Sequence, residues 1–92
     1  MNSIVLGQRL DFAAATPLER GLESALDEDF SVDASGVEHL GGLCLEILLS
    51  GAKSAAQGGR IFKLLDPSTA FLEALNVFGV ERHEIESTEG AE

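Results

Sequence analysis

Asp33-Ala-Ser-Gly-Val-Glu-His-Leu-Gly-Gly-Leu-Cys-Leu-Glu-Ile-Leu-Leu49 is the stretch whose reading decides the fold. The residues before it, Phe30-Ser-Val-Asp33, form a short β-prone run that ends at a polar turn. Beyond the turn, a Gly-Gly pair precedes a dense apolar segment. Leu43, Cys44, Leu45, Ile47, Leu48, Leu49 and Ala52 occupy most of the circumference of a helix. That helix starts at about Gly41 or Gly42 and runs to Ala56. A helix so apolar packs on more than one side. A strand that hands its chain to a helix start is where α/β folds gather functional groups.

The flanking sequence repeats this alternation. Ser3 to Leu6 reads as a strand stopped by Gly7, and Arg9-Leu10-Asp11-Phe12 as its return partner. Thr16-Pro-Leu-Glu19 has the layout of a capped helix start. Leu18, Leu22, Ala25 and Leu26 then share one face, and Asp27-Glu-Asp29 closes the helix with a solvated turn. After Gln57-Gly-Gly59, Arg60 to Leu65 reads as a third strand. Ser68 or Asp66 caps a last helix with the stripe Phe71, Leu72, Leu75 and Phe78, stopped by Gly79. Val80 is expected to open a final short strand. The order predicts an α/β fold, a small mixed or mostly parallel sheet with three to four helices. Residues 1–83 form one domain, and 84–92 read as an acidic, disordered tail.

Composition narrows the function classes. Ninety-two residues suffice for one domain with a modest core. Sixteen acidic residues against six basic ones give a net charge of -10. Phosphate binding rests on Lys and Arg, so nucleic acid is not an expected partner, and an anionic membrane surface is disfavoured equally. The apolar run 43–49 is interrupted by Glu46, so membrane insertion is not expected. No charged leader opens the chain, and Cys44 is the single cysteine. Both features lead to the expectation of a cytoplasmic protein.

The motifs that carry chemistry are weak. Gly51-Ala-Lys-Ser54 resembles the end of a phosphate loop but lacks its order and lies within a helix. The amides at Gly41-Gly42 could face an anion, although a tight turn accounts for the pair. Asp33, Ser35 and His39 are close in sequence, which says nothing about a triad in space. Asp33 and Ser35 fit turn formation better. Cys44, between Leu43 and Leu45, reads as a buried structural residue. His39, His83 and Cys44 lack metal-ligand spacing. No catalytic residue, metal or cofactor is expected, and surface recognition is the default.

From Ser31 to Pro67 the chain resembles the STAS domain (sulfate transporter and anti-sigma-factor antagonist). Asp33 matches the family's strand-end Asp, Val37 and Leu40 its apolar positions, and Leu45 its Leu after the helix-opening glycine. Gly59-Arg-Ile-Phe-Lys-Leu64 is similar to its third strand. Asp66-Pro-Ser68 is similar to the turn before its final helix, and Leu75 to Gly79 to that helix's end. The likeness spans most of residues 3–80. It departs from the pattern at the centre. Gly41 stands where the family has Asp, and Gly42 where it has the phosphorylated Ser; Leu43 and Cys44 replace the next two residues.

The resemblance implies a STAS-like fold and a non-enzymatic interaction module of bacterial signalling. Its implied partner is a protein, an anti-sigma kinase or a chemotaxis histidine kinase. The expected docking surface is Ser35, Gly36, Glu38, His39, Gly41, Gly42 and Glu46. Gly42 lacks a hydroxyl, so the usual phosphorylation switch is expected to be missing. Two alternatives stand beside this reading: a STAS-type regulatory subunit of an ATP-binding transport complex, and a small anion or nucleotide sensor. A homodimer through the sheet edge or the Leu-rich helix is a further expectation.

Overall fold

The computed structural model describes residues 2–25 and 28–86. Three strands, β1 (Asn2–Val5), β3 (Phe30–Asp33) and β5 (Phe62–Leu65), form a parallel sheet in the order β1-β3-β5. Among the described residues three α-helices accompany the sheet: α1 (Ala15–Ala25), α2 (Gly42–Gln57) and α3 (Thr69–Phe78). The expected α/β class, a small mixed or mostly parallel sheet with three to four helices, is what the chain adopts.

The strands form where short β-prone runs meet polar breakers. β3 is central and pairs Phe30 with Phe62 and Val32 with Leu64. The rings of Phe30 and Phe62 lie 4.7 Å apart, tilted by 53°. Side chains alternate across a strand, so Phe30, Val32, Phe62 and Leu64 are buried beneath the helices, while Lys63 and Leu65 stay exposed. On α1, Leu18, Leu22 and Ala25 are buried, as their spacing predicts. Leu26 and Asp27 lie outside the described residues. The α2 core face is Cys44, Leu45, Leu48, Ala52 and Ala55. Ile47 and Leu49 pack partly against the same core, so this helix does meet neighbours on more than one side.

The helix ends follow local chemistry. Ser68 caps α3 by accepting a hydrogen bond from the Phe71 N–H at 3.1 Å. Gly79 takes a left-handed φ of 73° that ends the helix. The α2 end is a Schellman motif: Gly59 N–H donates to the Ala56 carbonyl and Arg60 N–H to that of Ala55.

Several expectations are corrected. Arg9-Leu10 does form a strand, β2 (Arg9–Leu10), but it does not return along β1. It pairs in parallel with a strand absent from the sequence reading, β4 (His39–Leu40). Helix α1 does not begin at a Thr16 cap. Asp11 caps a 3-10 turn, Phe12–Ala14, by accepting from the Ala13 N–H, and α1 continues from that turn. Pro17 is tolerated because first-turn N–H groups have no helical partner. Val80 opens no strand; Arg82–Ile85 is a 3-10 helix. Ile85 is 1% exposed, so the chain stays packed beyond the expected boundary at residue 83. One large apolar side chain can seat an otherwise polar segment. Residues 87–92, the rest of the expected tail, lie outside the described residues.

Candidate functional site

The carboxyl ends of β1, β3 and β5 point to one end of the molecule, where parallel α/β sheets usually place function. Three connections meet there. The β1–β2 loop supplies the Gln8 carbonyl, which accepts from the N–H groups of Glu38 at 2.7 Å and His39 at 3.0 Å. The loop before α3 pins the β3–β4 turn. Ser68 N–H donates to the Ala34 carbonyl, and the Ser68 hydroxyl donates to that of Val37 at 2.6 Å. Backbone bonds of this kind hold a turn rigid enough to present side chains.

Within the turn, Asp33 Oδ1 accepts from the Ser35 N–H at 2.9 Å. This is the turn-forming role expected of the pair. Bonding first to the Ser35 side chain and then to its backbone holds the Asp33 carboxyl below its ordinary range. Ser35, Gly36, Glu38 and His39 are all exposed around it. After β5, Asp66 has φ of 47°, the one left-handed non-glycine residue among those described. Asp is among the few residue types that tolerate this region.

Helix α2 starts beside these loops. Gly41 is its N-cap, in extended backbone and without a side-chain cap. Its N–H donates to the Leu10 carbonyl at 2.9 Å. A Cβ at Gly41 would lie 3.2 Å from that same oxygen, tighter than most contacts. Gly42 is different. A Cβ there would meet only the Phe78 ring, at 3.5 Å, which is ordinary contact. Packing therefore does not demand glycine at position 42. Glu46, one turn further on, is exposed.

Cys44 faces inward from the first turn. Its Sγ donates to the Asp11 carbonyl at 3.4 Å. Burial pushes the thiol up, and the Asp11 charge adds to this. A group that resists forming thiolate is a poor nucleophile. Among the described residues no group of His, Cys, Asp and Glu side chains is large enough to hold a metal ion. No described helix is long and apolar enough to cross a membrane.

Of the seven expected surface residues, Ser35, Gly36, Glu38 and His39 lie between β3 and the end of β4, Gly41 and Gly42 at the start of α2, and Glu46 one turn along it; five are exposed and the two glycines half-buried. The structure also adds residues the sequence reading placed elsewhere. Phe78 and Leu72 were expected in the α3 core stripe, yet they are 47% and 42% exposed, while Phe71 and Leu75 fill the core. Phe78 lies over Gly42, and Val77 beside it is 81% exposed. Leu43 is also half out of the core. Helical spacing alone assigned Phe78 to the stripe, because it does not show where the neighbouring layer ends.

No curated protein matches the chain. A family profile described as "Mlab, STAS domain" matches residues 2–86. That span includes the parallel sheet, all three helices and the C-terminal 3-10 helix. The chain belongs to the STAS domain family.

Proposed function

We propose that this protein is a non-enzymatic regulatory module that docks on a protein partner through the start of α2 and the β3–α2 connection. Family membership supports a regulatory or protein-interaction role. The observation that carries the finer reading is Gly42. It opens α2 at the centre of an exposed surface, beside an apolar Phe78, and offers no hydroxyl. Phosphorylation would add about 1.5 to 2 negative charges at such a helix start. This chain forgoes that switch although the site has room for a side chain.

The partner in this reading is a kinase-type regulator, an anti-sigma kinase or a chemotaxis histidine kinase, bound in the cytoplasm. A second reading is a regulatory subunit of an ATP-binding transport complex. Gly42 suits it too, since a subunit that stays bound needs no phosphoserine release. An anion or nucleotide sensor at the α2 start fits less well with Glu38 and Glu46 around it and a net charge of -10.

Co-purification from the source cell tests the proposal, with Gly42→Asp as the control variant. The new carboxylate fits sterically and sits at a helix N-terminus, where it should stabilise the fold by about 0.3–1 kcal/mol. Expected is a kinase-type regulator whose binding survives phosphatase and ATP treatment and is lost with Gly42→Asp. An ATPase subunit in its place selects the second reading. Loss of wild-type binding on ATP-dependent phosphorylation, or unchanged binding of Gly42→Asp, would overturn the assigned surface.

A further inference from the structure

Helices α1 and α2 meet where Leu22 packs on Gly51. Gly51 sets the close approach. It lies against Leu22 of α1 and Phe62 of β5, with no room for a Cβ. Between the two helices, beside this contact, runs a groove of about 390 Å³. Its apolar floor is Leu22, Leu43 and Ile47, and its walls carry Glu19 and Glu23 from α1 and Glu46 from α2. No Lys or Arg lines it. Among the described residues no ion pair engages these three glutamates.

The two features require different things of an occupant. An apolar floor favours a large aliphatic or aromatic side chain, and a volume of this size seats one or two. Three uncompensated carboxylates on the walls favour cations and repel anions, an arrangement that selects partners by charge. One element meets both demands: an amphipathic helix that lays an apolar stripe on the floor, with Lys or Arg flanking it. Nucleotides, phosphate and acidic peptides are excluded by the same charges.

We infer that the α1–α2 groove docks a basic amphipathic helix of a partner protein. The groove adjoins the start of α2 through Leu43 and Glu46. It does not depend on docking at Gly42, because Glu19, Glu23 and Ile47 lie outside that surface.

A synthetic amphipathic helix of Leu and Lys is the probe, with its Leu/Glu counterpart as control. Binding is read by fluorescence anisotropy and mapped by amide chemical shifts on the full chain. Expected is binding of the Leu/Lys peptide alone, with shifts concentrated at Leu22, Glu23, Leu43 and Ile47. Affinity should weaken at least about tenfold in Glu19→Lys/Glu23→Lys. Both positions are exposed, so the fold is retained, and unchanged amide dispersion verifies it. The Gly42→Asp variant should bind the peptide at least as tightly as wild type, since its added charge favours a cation, which separates this site from the docking surface proposed above. Equal binding of the acidic peptide, shifts spread over the whole acidic surface, or an unaffected double variant would overturn the inference. So would concentration-dependent self-association through the same residues, which would make a second copy the occupant.

Discussion

Asp33 shows how one residue of the signature serves the turn before it serves any partner. Its carboxylate accepts from Ser35, and this bonding favours the charged form. Its folded pKa is therefore depressed, and the unfolded chain binds the proton first as the pH falls. The contribution to stability is complete above the unfolded value of 3.8 and is lost as the pH drops through the lower folded value. Asp33→Asn keeps an amide oxygen for the turn but removes the charge. Urea unfolding across a pH series should show the wild type more stable at neutral pH and the gap closing below about pH 4. A gap that stays constant down to strong acid would mean that charge is not what Asp33 contributes. Turn chemistry of this kind is legible in sequence, because Asp and Ser act on backbone two residues away. The exposure of Phe78 is not, because it depends on where α2 happens to start.

At the scale of elements, α2 is the piece whose sequence is easiest to read and easiest to misjudge. Its apolar density announced a helix packed on several sides, and residues 42–57 form it. Gly51, however, reads as a defect by propensity alone, costing about 1 kcal/mol against Ala. In the fold it is the contact point of three elements. A Cβ would lie 2.9 Å from Phe62 Cε2 and 3.2 Å from Leu22 Cδ1. The Phe62 ring is braced by Phe30 and has little freedom to retreat. Gly51→Ala should therefore destabilise: overpacking costs about 1–3 kcal/mol, set against the gain in propensity. A lower thermal midpoint is expected, with helix content maintained by circular dichroism. A raised midpoint would show that the ring can move. The strands β2 and β4 mark the opposite limit. Two residues carry no periodicity, and their partners lie about thirty positions apart, so nothing local distinguishes this parallel pair from a hairpin.

At the scale of the whole molecule, the C-terminal segment covers the sheet edge at Leu64. β5 is an edge strand, which would otherwise present unpaired backbone groups. Arg82 Nη2 donates to the Leu64 carbonyl at 3.0 Å, and Glu86 Oε2 accepts from the Leu64 N–H at 3.0 Å. The two side chains also approach each other to 3.8 Å. Together they take the place of a neighbouring strand at Leu64, so pairing of two copies along β5 meets an edge already satisfied there. Ile85 anchors the arrangement from within the core. Ile85→Ala should lose about 2–5 kcal/mol, measured by urea unfolding, as befits a core position. A change within about 0.5 kcal/mol, the usual range for surface positions, would show that the segment is not seated.

By itself the sequence determined the class of fold, the places of the main strands and helices, and the Ser68 cap of α3. Each of these rests on interactions within a few residues: side-chain periodicity, capping bonds and turn chemistry. Only the tertiary structure decided that β2 pairs with β4, that Phe78 covers Gly42 and that Gly51 meets Leu22 beside an acidic groove. It also decided that Arg82 and Glu86 satisfy the edge of β5 at Leu64. Those features join residues about 18 to 36 positions apart, and their energy comes from surfaces that exist only once the layers have packed.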